Sequence, residues 1–115
     1  MIKILETSKE LTKVEKYLMT QSPAIVSLSK TEDDISIPVD AWLIFSDSKD
    51  TGEEVEILSI LSGEEVFSCQ SETFKRSFAD IVEVMDGEHF AIKKISGETK
   101  AGRPYINCVL DIASI

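Results

Sequence analysis

The residues best suited to chemistry lie in one basic loop, G-E-T-K-A-G-R-P-Y, over positions 97–105. Lys100 and Arg103 stand beside the aromatic Tyr105, and two cations next to a ring can clamp a nucleic-acid base and its phosphate. Gly97 and Gly102 would permit the tight reversal that pushes the cations forward. A second ring, Trp42, occupies a strand-like run opposite the register of Ala41, Leu43 and Phe45, just as Tyr105 is opposite Ile106, Cys108 and Leu110. That parity predicts both rings on an outer, groove-forming face, where stacking tolerates any base. Trp42 keeps a second reading, since a tryptophan in a small protein also serves core or interface. The remaining cations of the second half are Lys75, Arg76, Lys93 and Lys94. In an alternating strand, one of Lys93 and Lys94 must point away from the core. The ordinary alternative for all of them is a solvated charge run, and for the loop an ordinary hairpin turn.

Other chemistries find less in the residues. The loop superficially approaches a phosphate-binding G-x-x-x-x-G-K-[ST] motif, but Arg103 replaces the lysine, Pro104 replaces the metal-binding hydroxyl, and a strand follows where a helix is required. His89 is the single histidine and has no nucleophile or metal-ligand partner at a recognisable spacing, so it reads as a turn residue. Glu32-Asp33-Asp34 lacks the interspersed glycine of a calcium loop and reads as a solvated loop, as do Glu53-Glu54 and Glu64-Glu65. The expectation is a protein without catalysis, cofactor or metal.

The elements that must hold the loop can be traced from periodicity. Ser71 to about Met85 places Phe74, Phe78, Ile81 and Met85 at helical spacing, with Asp86-Gly87 as the stop. His89 to Ile95 and Tyr105 to Ile112 read as two strands. In the second, Ile106, Cys108, Leu110 and Ile112 alternate against Tyr105, Asn107, Val109 and Asp111. Phe74, Phe78 and Phe90 are assigned to the core. Upstream, Thr7 and Glu10 form a capping-box pattern ahead of a Leu11, Val14, Leu18 stripe, so an opening helix is expected up to Gln21-Ser22-Pro23. Ala24 to Leu28 is β-prone and Ser29 to Asp34 a polar loop. Val39 to Phe45 and Glu54 to Leu61 are strands joined by the turn cluster over 46–52, and Val66 to Cys69 is one more short strand. Three strands, a helix and two strands follow the order of an oligonucleotide-binding (OB) barrel, a mainly β, five-stranded Greek-key fold with the helix between its third and fourth strands and here an extra N-terminal helix. An α+β sandwich fits the same string less specifically.

At 115 residues the chain is expected to be one domain, 1–115, with a single core. No segment approaches the roughly 18 apolar residues of a membrane span, and no signal-peptide pattern opens the chain, so a cytoplasmic location without membrane attachment is expected. Cys69 and Cys108 then read as buried thiols. The net charge of −9 speaks against a simple nucleic-acid binder, yet it is unevenly placed. Up to Glu72 six basic residues face fifteen acidic ones, whereas from Thr73 onward six face six. A local cationic surface is therefore compatible with the composition.

The segments S-E-T-F-K-R-S-F-A-D-I-V-E-V and F-A-I-K-K-I-S-G-E-T-K-A-G-R-P-Y-I resemble the small single-stranded-DNA-binding proteins of lactococcal-type phages and of plasmids in related Gram-positive bacteria. The likeness runs from about Leu11 to Ile112. It implies an OB barrel, binding of single-stranded DNA during replication or recombination in the bacterial host cell, and a small oligomer, a dimer. Phage or host replication and recombination proteins would be its partners. Carried over with it are Phe74, Phe78, Gly97 and Gly102 as fold or loop positions, and Arg76, Lys100 and Arg103 as phosphate contacts. The housekeeping bacterial relatives of that fold end in a long acidic-tipped tail, which this sequence lacks after Ile112, so recruitment through such a tail is not expected. A rival reading from another class is an acidic interaction module, such as a DNA mimic that occupies a nuclease or repair enzyme. Ordered acidic rows would mark the mimic, and a cationic groove bordered by aromatics the binder.

Overall fold

The computed structural model describes residues 2–48 and 52–114. The chain is mainly β, with eight strands and two α-helices among the described residues. In chain order these are β1 (Ile2–Thr7), α1 (Lys13–Thr20), β2 (Val26–Ser27), β3 (Ser36–Val39), β4 (Ala41–Ser48), β5 (Glu54–Ser62), β6 (Glu65–Cys69), α2 (Glu72–Met85), β7 (Phe90–Glu98) and β8 (Pro104–Leu110). One sheet has the order β1-β4-β5-β6-β2, the other β3-β7-β8.

The expected opening helix begins later than Thr7. T-x-x-E occurs twice here, and the pair that caps is Thr12 with Glu15: the Thr12 hydroxyl accepts from the Glu15 N–H at 3.1 Å and the Glu15 carboxylate accepts from the Thr12 N–H at 2.9 Å. The first match is lost because Ile2–Thr7 pairs antiparallel with β4, bulging at Leu5. The expected stripe is corrected with it. Leu11 and Met19 are buried, whereas Val14 and Leu18 are exposed.

The expected strand Val39 to Phe45 is two strands in two sheets. The chain bends at Asp40, whose N–H donates to Leu61 O and whose carboxylate accepts from the Gly63 N–H at 2.6 Å. Before the bend β3 pairs with β7, and after it β4 pairs with both β1 and β5. The hairpin β4–β5 and the short strand β6 form as expected. Within its turn, positions 49–51 lie outside the described residues.

β4 is buried on both faces, which explains its unbroken apolar run Ala41–Phe45. Ala41, Leu43 and Phe45 join Leu11, Met19 and Val66 in a core beneath α1. On the other face Trp42 and Ile44 pack against the larger core of Leu58, Ile60, Phe74, Phe78, Phe90 and Ile92, which links α2 to both sheets. Trp42 thus corrects the expectation of an outer position. It is half-buried, edge-on to Phe78 at 5.9 Å between ring centroids, because α2 covers that face of the sheet.

α2 forms as its spacing predicts. The Ser71 hydroxyl caps it by accepting from the Phe74 N–H, and Asp86 ends it in the left-handed region with Gly87 following at φ 89°. Phe74, Phe78 and Met85 are buried. β7 runs to Glu98, longer than expected, so Gly97 belongs to the strand and only Gly102, at φ 81°, serves the turn. β8 stops at Leu110. Asp111, expected on a polar face, is buried and accepts from the Ser36 hydroxyl at 2.5 Å, while Ile112 turns outward to 78% exposure.

No strand pairing joins β6 to β8 among the described residues, and the two sheets form no closed barrel. The free edge of β6 carries the short parallel strand β2. The edge of β8 is met by side chains. Ser77 donates to the Asn107 side-chain oxygen at 2.6 Å, that oxygen also accepts the Cys108 N–H at 2.8 Å, and Ser71 makes a weak 3.4 Å contact with Ile106 O. These groups occupy positions a neighbouring strand would otherwise fill.

Candidate nucleic-acid interface

The β7–β8 turn is built by Thr99. Its N–H donates to Arg103 O at 2.9 Å, its carbonyl accepts from the Gly102 N–H at 2.8 Å, and its hydroxyl accepts from the Arg103 N–H at 3.1 Å. Lys100 and Arg103 are exposed on this turn, and no ion pair joins either to a described carboxylate. Tyr105 pairs with Gly97 across the hairpin, and its ring rests on the glycine backbone. A Cβ at Gly97 would lie 2.6 Å from the tyrosine ring carbon and hydroxyl. Gly97 is therefore a seat for the ring, which stays 40% exposed.

Beside Tyr105, where β6 and β8 fail to pair, opens a cleft of about 780 Å³. Tyr105, Pro104 and Ile106 form one side; Ser68, Gln70 and Ser71 come from the end of β6 and the helix cap; Ser27 and Ser29 come from the β2 segment. Ser96 adds a fifth serine. No charged side chain is among its described lining residues, although the protein carries a net charge of −9. Hydroxyl and amide donors with an exposed ring suit a phosphodiester strand, which they can bond without adding negative charge. The serines were missed by sequence reasoning because they come from three separate segments that only the fold brings together.

The other cations are placed differently. The Lys75 ammonium lies 2.9 Å from Glu72 Oε1 and donates to Glu56 O at 2.9 Å, so it ties α2 to β5, and its proximity lowers the Glu72 pKa. Arg76 is exposed on α2. Lys93 is half-buried, 3.9 Å from Asp111 Oδ1. Lys94 is the inward member of the pair, 3% exposed, bonded to Thr31 O and 3.1 Å from Asp33 Oδ1. Its ammonium is withdrawn from the surface, which corrects its expected role as a phosphate contact. Six positions along an extended strand separate Lys94 from Lys100, roughly 20 Å, so the second-half cations do not form one patch.

Asp33 also accepts from the Ser96 hydroxyl at 2.8 Å and N–H at 3.0 Å, and these bonds, with Lys94, hold its carboxyl below its usual range. The expected solvated acidic loop is thus anchored at Asp33. His89 Nε2 lies 3.3 Å from Asp40 Oδ1, on the surface just before β7. The Asp40 carboxyl is held low chiefly by the Gly63 N–H. Among the described residues no group of three His, Cys, Asp or Glu side chains is placed to hold a metal ion. Cys69 and Cys108 are buried free thiols, pushed up to about 12 by burial. No helix is long and apolar enough to cross a membrane among the described residues.

No protein-family model, no curated protein and no solved structure matches this chain.

Proposed function

We propose that the protein binds single-stranded DNA without sequence preference, during phage or plasmid replication or recombination, and carries out no catalysis. In this reading the chain run bent at Asp40 corresponds to the first strand of an OB barrel, serving β7 with one half and β5 with the other. β5, β6, α2, β7 and β8 supply the rest, and the barrel is left open between β6 and β8. The observation that carries the proposal is the cleft at that opening, with no carboxylate among its described lining residues, Tyr105 seated on Gly97 at its edge and Lys100 and Arg103 on the adjoining turn. A base stacks on the ring, the Ser27, Ser29 and Ser68 hydroxyls and the two cations meet the phosphates, and neither interaction reads sequence. A polarisation titration with labelled oligo-dT at low salt, where electrostatic attraction is strongest, tests it. Saturable binding is the expected result. No shift at micromolar protein would overturn the reading and leave the acidic mimic as the better account.

A further inference from the structure

A second groove, of about 350 Å³, lies between β1 and α1. Ile2 and Ile4 face Tyr17 across it, and Lys13 and Lys16 project from the exposed side of the helix. Tyr17 is 50% exposed, and no carboxylate is among the groove's described lining residues. Thr20, at the end of α1, lines both this groove and the cleft beside Tyr105, so the two adjoin at that residue. The composition of the far groove repeats that of the near end: one exposed ring and two cations, on an otherwise acidic half of the chain.

Resting on the DNA-binding reading above, we infer that the bound strand continues past Thr20 into this groove, where Tyr17 provides a second stacking platform and Lys13 and Lys16 contact phosphates. The path then runs from Tyr105, through the serine-lined cleft, to Tyr17, and a ring stands at each end of it. An acidic peptide would also answer two lysines over an apolar floor. Adjacency to the cleft at Thr20 favours the nucleic acid, because a single polyanion that passes this residue satisfies both sites at once.

The experiment compares labelled oligo-dT of about four and about sixteen nucleotides, the range of site sizes for such folds. A strand confined to the cleft gains nothing from α1. Tyr17→Ala should weaken the long oligonucleotide about 5- to 150-fold, as expected for one lost base stack, and leave the short one within about twofold. Tyr17→Phe should retain wild-type affinity. Lys13→Ala with Lys16→Ala should reduce the log–log salt slope for the long strand by about 1.4. These side chains are exposed, so circular-dichroism melts should match wild type. Unchanged long-strand affinity in these variants, with Tyr105→Ala still weakening it, would end the path in the cleft and overturn the inference. Equal losses at both lengths would overturn the continuous path as well. If wild type binds neither length, both this inference and the DNA-binding reading fall.

Discussion

The two ends of the β7–β8 hairpin use the same residue types for opposite purposes. At one end Lys93 and Lys94 are matched to carboxylates, Asp111 and Asp33, and the Lys94 ammonium is sealed under the loop that it anchors. At the other end Lys100 and Arg103 stand in water, on a turn held by Thr99 through backbone and hydroxyl bonds, beside a ring that remains accessible. The difference teaches that a basic residue in this chain is a structural tie where the fold brings a carboxylate to it, and a candidate ligand contact only where none arrives. Desolvation sets the distinction. A buried ammonium must be paired to be tolerated, whereas an exposed one keeps its hydration until a polyanion displaces it.

That contrast can be broken most strongly at its buried end. Lys94→Ala should cost about 2–3 kcal/mol of stability, because it strands Thr31 O and leaves a space under the loop; denaturant unfolding would read it. Oligo-dT affinity of the folded fraction should stay at the wild-type value. A Lys94→Ala protein that is stable but binds poorly would place Lys94 in the interface after all.

At the exposed end the expected effects fall on binding. Tyr105→Ala should lose about 1–3 kcal/mol of oligonucleotide affinity and Tyr105→Phe very little, since the ring and not the hydroxyl carries the stacking. Equal affinities for wild type and Tyr105→Ala would move the site away from this ring. Lys100→Ala with Arg103→Ala should flatten the log–log salt slope by about 1.4 with no change in melting temperature. Should the slope stay as steep, the phosphates are being met elsewhere.

The smallest effect sharpens the comparison through pH. The Asp33 carboxyl sits below its usual range in the folded protein, chiefly through the Ser96 hydroxyl and then Lys94. A group whose folded pKa is depressed adds stability above its unfolded value, about pH 4, and that stability is lost as pH falls through the folded value. Asp33→Asn should therefore melt at a lower temperature than wild type at neutral pH, and the gap should close below about pH 4. Parallel melting curves of the two proteins down to pH 2 would show that Asp33 contributes no such linkage.

Much of the frame was legible from local pattern. α2 could be read from Ser71, the Phe74–Phe78 spacing and Asp86-Gly87, because cap, stripe and stop agree within one segment. The β4–β5 and β7–β8 hairpins followed from alternation and turn residues for the same reason. Other readings went astray where a distant segment intervened. Thr7–Glu10 has the residues of a capping box, yet β4 recruits Thr7 into a sheet, and the signal five residues later takes effect. Trp42 has the parity of an outward residue in a one-sided sheet, but α2 lies on that side too. Gly97 looks like a loop glycine, and its reason is the Tyr105 ring across the hairpin.

By itself the sequence determined the apolar face of α2, the turn that presents Lys100 and Arg103, and the uneven division of charge. These depend on side chains within a few residues of one another. Tertiary structure alone decided which cations are neutralised, that β6 and β8 remain apart, and that serines from three segments converge beside Tyr105 in a cleft with no carboxylate among its described lining residues. Such features depend on contacts between residues tens of positions apart, where burial and pairing override what each segment prefers alone.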